Sequence, residues 1–307
     1  MLMKKMTKNV RPQVTEVRDM TNNTRLINDS AKKALNQGDL YIAQQLFRKN
    51  VKNERCVVTL NNLGVFYSEF NILSENLRER DGNKTALHYL KQVVDNDCSG
   101  KTAFAIGNVF FRLGMYCESA LYFNKSFLLN HQFASIYNLG LCYFKERKYE
   151  QSLTSFEFAA SIAKSDEQID AIISLAFAEA YCHKGNLTKN AEKVFCLNDD
   201  FFDYKKFVLS YLLKDKKRMK KYVISTIKNF SLDMITCAMV IDALFILNQN
   251  NEANEFYKQE LESLECRDYN TKDIAQLKRV WKDTNYRKML ICEYFPPLFP
   301  LRIDCYI

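Results

Sequence analysis

A chain of 307 residues that is 47% apolar, with 22 Phe and 17 Tyr, can bury a sizeable core, which excludes wholesale disorder. Its formal net charge of +8 is too diffuse on this length to point to nucleic acid. The only prolines are Pro12, Pro296, Pro297 and Pro300, and there are eight glycines, so Gln13–Phe295 is proline-free and predicts an all-α chain of helices joined by short turns.

Residues 1–23 are expected to form a flexible arm. The start, MLMKKMTKNVRPQVTEV, is basic but lacks the apolar core of a secretory signal. From Thr24 a repeated pair of helices begins. Ala31 and Ala34 are followed by Ala43 and Phe47. The next copy reads Leu60-x-x-Leu63-Gly64-x-x-Tyr67, then Ala86-x-x-x-Leu90-x-x-Val93. A third reads Ala103-x-x-Ile106-Gly107-x-x-Phe110, then Ser119-x-x-x-Phe123-x-x-Ser126. The clearest is Ile136-x-x-Leu139-Gly140-x-x-Tyr143, then Ser152-x-x-x-Phe156-x-x-Ala159. A fifth centres on Ala178 and Tyr181, with Asn190 and Val194.

The small residues Ala31, Gly64, Gly107, Gly140 and Ala178 are separated by 33, 43, 33 and 38 residues. The long interval contains an insertion within 68–85, including NLRERDGNK, and the 38 contains the polar connection SIAKSDEQID. Weaker copies follow at Val208 and Tyr211 with Lys220 and Ile224, a degenerate repeat over 201–233, and at Ile241 and Leu244 with Ala253 and Tyr257. About seven repeats over 24–270 are therefore expected, in helices of roughly 11 to 16 residues. The cluster Lys214, Lys216, Lys217, Arg218, Lys220, Lys221 reads best as a solvated helix end and turn. Residues 271–307 are expected to cap the stack through an amphipathic helix bearing Ile274, Leu277, Trp281 and Met289. The apolar tail YFPPLFPLRIDCYI would dock after it.

Two antiparallel helices approach closely only where a small side chain faces the partner, which accounts for Gly107, Gly140, Ala43 and Ala86. Turn signals fall where first helices should stop, at Gln37-Gly38-Asp39, Leu113-Gly114-Met115 and Lys184-Gly185-Asn186. One hairpin cannot bury its own apolar stripe, so neighbours must stack. This order of small, aromatic, turn, small and aromatic residues resembles the tetratricopeptide repeat family over about Thr24–Asp200 and more weakly beyond. The proline that often closes such a repeat is missing throughout. HEAT-type repeats are a related alternative.

The resemblance implies a right-handed superhelical solenoid whose first helices line a concave groove. It places Asn28 and Lys32, Asn61 and Asn62, and Lys101, Phe104, Asn108 and Arg112 on the exposed side of that wall. Tyr137, Asn138 and Lys145 follow, then Leu175, Glu179 and His183. Of these, Asn62, Lys101, Asn108, Arg112, Tyr137, Asn138 and Lys145 are the expected peptide-binding set. Asparagine amides both donate to and accept from a peptide backbone, and Lys and Arg attract carboxylates. Lys32, Asn62 and Lys101 are similar to the carboxylate clamp of chaperone-binding members, although Asn28 and Ala105 stand where basic residues are expected.

No phosphate loop, G-x-S-x-G or H-E-x-x-H occurs, and His88, His131 and His183 fall at different phases of different repeats, so neither catalysis nor a metal or other cofactor is expected. The ten cysteines form no C-x-x-C, most lie among helical apolar positions, and together they point to a reducing, cytoplasmic setting. No apolar window is long enough to span a membrane. The expected activity is that of an adaptor or scaffold binding a protein or an extended peptide, with no nucleic-acid or membrane partner. Two other readings are a peptide-sensing regulator and a targeting region for a catalytic domain, such as a glycosyltransferase, on a missing segment or a partner.

Overall fold

Helix pairs account for the regular structure of the chain. The computed structural model describes residues 21–70, 82–165, 167–182, 186–198, 200–229, 232–266 and 271–293. Every regular element among them is helical, and two compact units divide at Glu146 and Arg147. The first unit contains α1 (Asn22–Asn36), α2 (Leu40–Asn53), α3 (Val57–Glu69), α4 (Gly82–Leu90), α5 (Lys101–Arg112), α6 (Tyr116–Asn130) and α7 (Phe133–Lys145). The second begins with α8 (Tyr149–Ile162), α9 (Gln168–Cys182) and α10 (Lys189–Phe195). After a 3-10 turn at Asp200–Phe202 come α11 (Asp203–Leu212), α12 (Lys216–Asn229), α13 (Met234–Ile246) and α14 (Asn250–Cys266). The last two helices are α15 (Thr271–Lys282) and α16 (Thr284–Glu293).

One turn geometry recurs and fixes the register of the helix that follows. The amide of Asp39 donates to Ala34 O, that of Met115 to Phe110 O, that of Asp215 to Ser210 O and that of Gln249 to Leu244 O. The residue before each donor is left-handed: Gly38, Gly114, Lys214 and Asn248, with Arg147 sharing that conformation. This is the Schellman closure of a helix C-terminus. Five residues after the left-handed one lies a buried residue: Ala43, Ser119, Ser152, Met219 or Ala253. Nine residues after Gly38, Gly114, Arg147 and Lys214 lie Phe47, Phe123, Phe156 and Val223, all buried.

Burial revises the sequence reading of two repeats, and the rule accounts for the first of them. Met219 and Val223, not Lys220 and Ile224, are the buried pair of α12, and Ile224 is 45% exposed. In α10 the buried small residue is Ala191, one place after Asn190. A left-handed lysine costs roughly 1–2 kcal/mol that glycine avoids, partly offset by glycine's larger unfolded-state entropy. Lys214→Gly is accordingly expected to stabilise the second unit by about 0.5–1 kcal/mol, read as a rise in the urea midpoint; a fall would show that the lysine side chain contributes to folding.

Packing demands glycine at two first-helix positions. A Cβ on Gly64 would lie 2.6 Å from Leu90 Cγ, and one on Gly107 would lie 2.8 Å from the Phe123 ring. Gly100 has φ +77° at the N-cap of α5, where Asp97 supplies the missing cap. Its carboxylate accepts from Ser99 N at 2.9 Å and Thr102 N at 2.7 Å. Burial raises the Asp97 pKa, but the hydrogen bonds from Ser99 and Thr102 win and hold it below the usual value.

Several expectations are revised. Helices run from 7 residues in α10 to 17 in α14, because the Thr188 cap and the 3-10 turn bracket α10 closely. Of the insertion, Ser68 and Glu69 end α3 and Gly82–Thr85 open α4. Residues 71–81, the arm 1–20, His183 and the tail from Tyr294 lie outside the described residues. Residues 271–293 form two helices instead of one, since Asp283 accepts from Asn285 N at 2.9 Å and Tyr286 N at 3.0 Å and restarts the chain as α16. Leu277 and Val280 are buried there and Trp281 stacks on Tyr257 at 4.7 Å, whereas Met289 is 47% exposed. Cys56, Cys142 and Cys237 are buried free thiols, and burial pushes Cys142 up to about 12; Cys98, Cys117, Cys196 and Cys266 are exposed, so fewer thiols are core residues than expected.

Candidate functional site

The first helices α1, α3, α5 and α7 carry the residues that sequence alone assigned to a binding wall. Their helical placement is as expected, but their exposure is not. Asn28, Asn61, Asn62, Phe104, Asn108, Tyr137 and Asn138 are all buried, as is Leu175 on α9. The reason is pairing within the chain. Asn62 Nδ2 donates to Asn28 Oδ1 at 2.6 Å, joining α3 to α1, and Asn138 Nδ2 donates to Asn108 Oδ1 at 3.5 Å, joining α7 to α5. Phe104 packs edge-on to Phe123 with ring centroids 5.4 Å apart, and Tyr137 stacks on Phe133 at 5.3 Å.

Arg112 is also spent inside the unit. One guanidinium nitrogen donates to both Ser68 O and Ser68 Oγ at 2.7 Å, and the other forks onto Glu69 at 2.7 and 2.8 Å. This ties α5 to the last turn of α3, where helical carbonyls lack intrahelical partners. The bidentate pair is directional, so Arg112 acts first as a brace between repeats. Sequence had offered its guanidinium to a partner's carboxylate. Nothing in the repeat pattern showed that Glu69, across the insertion, would reach it.

The cations are the more accessible members of the set. Lys101 is exposed at the start of α5, and Lys32 is half-buried on α1. Lys145 is half-buried in the last turn of α7, its Nζ 5.9 Å from the centre of the Tyr116 ring. Burial pulls the Lys145 ammonium down to about 8. On α3, Asn61 Oδ1 is buried with no hydrogen-bond partner among the described residues. On α9, Glu179 accepts from Asn190 Nδ2 at 2.8 Å and from Thr188 Oγ1, so it organises the turn into α10.

Among the described residues no three His, Cys, Asp or Glu side chains converge as a metal site would require. No described helix is long and apolar enough to cross a membrane.

No family profile matches the sequence, and no curated protein matches it. Solved structures do match its shape. A tetratricopeptide repeat protein from Parabacteroides merdae, 13% identical, aligns over 86% of this chain and 100% of its own, with a TM-score of 0.63. PilF of Pseudomonas aeruginosa is 12% identical over 76% of this chain and 98% of its own, with a TM-score of 0.52. NprR in complex with its cognate peptide NprX is 14% identical over 91% of each chain, with a TM-score of 0.50. The chain has the tetratricopeptide repeat fold, an all-α solenoid of helical hairpins. At these identities the likeness shows the fold alone.

Proposed function

We propose that the chain is a protein- or peptide-binding scaffold whose first-helix wall in the first unit receives an extended segment of a partner. The observation that carries this reading is the polar seam of Asn28 with Asn62 and Asn108 with Asn138. Burying amides costs desolvation that apolar pairs would avoid. Each amide has two donor hydrogens and two acceptor lone pairs, so the Asn28–Asn62 bond uses only part of what that pair can offer. The buried Asn61 oxygen is a further acceptor on α3, with no partner among the described residues. The peptide complex formed by NprR supports the reading by showing that this fold can hold such a ligand.

In this scheme the accessible Lys101 and Lys145 make first contact. Tyr137, Asn138, Asn108 and Asn62 shape the wall behind them, and Arg112 sets its spacing through Glu69. Selection of a random phage-displayed peptide library on the intact chain is expected to enrich extended sequences with acidic residues. Lys101→Glu with Lys145→Glu should weaken the enriched peptide about tenfold by calorimetry without lowering the melting temperature. Binding should also weaken as pH rises through about 8, where Lys145 loses its charge. A selection that enriches nothing, or peptides indifferent to both lysines, would remove this wall as the binding site.

A further inference from the structure

The second unit concentrates positive charge on one of its helices. Helix α12 carries Lys216, Lys217, Arg218, Lys220, Lys221 and Lys228 and no acidic residue. Residues 189–229 hold eleven Lys and Arg against five Asp and Glu, which is six of the chain's eight net positive charges. Between α10 and α12 lies an open cleft of about 730 Å³, with Phe195 and Tyr222 among its lining residues. Their rings stack at 6.1 Å and 10°.

Arg218 is a fixed element of this cleft. It forks onto Glu192 at 2.8 and 2.9 Å, bonds Asp215 at 3.0 Å, and lies 4.4 Å from the centre of the Phe195 ring. These contacts consume the two carboxylates that line the cleft. Lys217, Lys220 and Lys221 also line it, are exposed, and form no ion pair with a described carboxylate. The result is an aromatic and guanidinium surface beside three lysines with no ion-pair partner among the described residues.

We propose that this cleft docks an acidic segment of a partner protein, an extended run with Asp or Glu at alternating positions. Lys217 and Lys221 are four residues apart on the helix, about 6 Å of rise. Alternate side chains of an extended peptide share one face about 6.8 Å apart, so two carboxylates of such a segment match the two ammonium groups. Single-stranded nucleic acid fits less well, because it needs free aromatic faces for base stacking. Here Arg218 covers Phe195, while Lys221 and Lys206 sit 5.0 and 5.4 Å from the centre of the Tyr222 ring. The inference is independent of the first-helix wall and uses none of its residues.

The test is fluorescence anisotropy with fluorescein-labelled hexaglutamate and the full chain, at low and at raised salt. Binding is expected at low salt and should weaken as salt is added. Lys217→Glu, Lys220→Glu and Lys221→Glu together should reduce affinity at least about tenfold. The same charge change placed elsewhere in the unit, Lys258→Glu, Lys282→Glu and Lys288→Glu, should reduce it less than about threefold. Circular dichroism checks that both triples are folded. If the first is not, Lys217→Gln, Lys220→Gln and Lys221→Gln replace it, with a loss of about threefold or more expected. Equal losses in the two triples would reduce the effect to net charge and overturn the proposal. So would tighter binding of labelled oligothymidylate, or of phosphatidylserine vesicles, than of the peptide.

Discussion

Replacing Arg287 by alanine is expected to destabilise the second unit by about 3–5 kcal/mol, the range for removing one partner of a buried ion pair. Arg287 on α16 is 3% exposed. Its Nε donates to Asp242 on α13 at 3.3 Å, one terminal nitrogen to Val280 O at 2.8 Å, and the other to Thr284 Oγ1 at 3.2 Å. Tyr211 Oη donates to the other oxygen of Asp242 at 2.8 Å, which adds α11 to the same network. Helix α13 is buried along nearly its whole length, from Thr236 to Leu244, so it needs cover on more than one side. The terminal helices provide part of it, and Arg287 locks them there. Alanine would leave the Asp242 carboxylate buried beside Tyr211 alone. Urea denaturation followed by circular dichroism measures the loss. Arg287→Met combined with Asp242→Asn should recover a large part of it, since the charge is then removed and the volume kept. A loss below about 1 kcal/mol for the alanine variant would mean that water reaches Asp242 and that the lock is weak.

The repeat was legible because close helix packing leaves a mark in residue size. Gly64, Gly107, Ala43 and Ser119 are small because a second helix lies against them, and the aromatic one turn later fills the gap beside them. Turns were legible only where glycine served the left-handed residue, at Gly38 and Gly114. Lys214 adopts the same conformation without a sequence signal, so the buried pair of α12 was read one residue late. The candidate residues were legible as helical positions and not as a set of exposures. An asparagine on a first helix looks the same in sequence whether it faces solvent or the amide of the previous repeat. Asn62 and Asn28 are 34 residues apart, and only the stacked structure shows that they bond to each other. Arg287 gave no signal, because its partner Asp242 is 45 residues away and Arg287 itself lies beyond the repeated span.

Phe123→Ala is expected to cost the first unit about 3–5 kcal/mol, because this fully buried ring fills the space between α5 and α6. The same ring makes Gly107 a special position. Alanine in a helix interior is normally better than glycine by about 1 kcal/mol. At Gly107 the added methyl would stand 2.8 Å from two ring carbons and 3.1 Å from Cγ, the end of the ring that cannot swing away. Phe123 also packs against Phe104, at 5.4 Å between centroids. Overpacking of this kind costs about 1–3 kcal/mol, so Gly107→Ala should destabilise the native sequence by about 1–2 kcal/mol despite its better helix propensity. In the Phe123→Ala background the clash is gone and the methyl enters the vacated space. There Gly107→Ala should be neutral or stabilising. The four proteins of this cycle, compared by urea midpoint, therefore carry a reversal of sign as the signature of the contact. If Gly107→Ala stabilises both backgrounds alike, propensity alone governs the position and the two helices are farther apart than the contact requires.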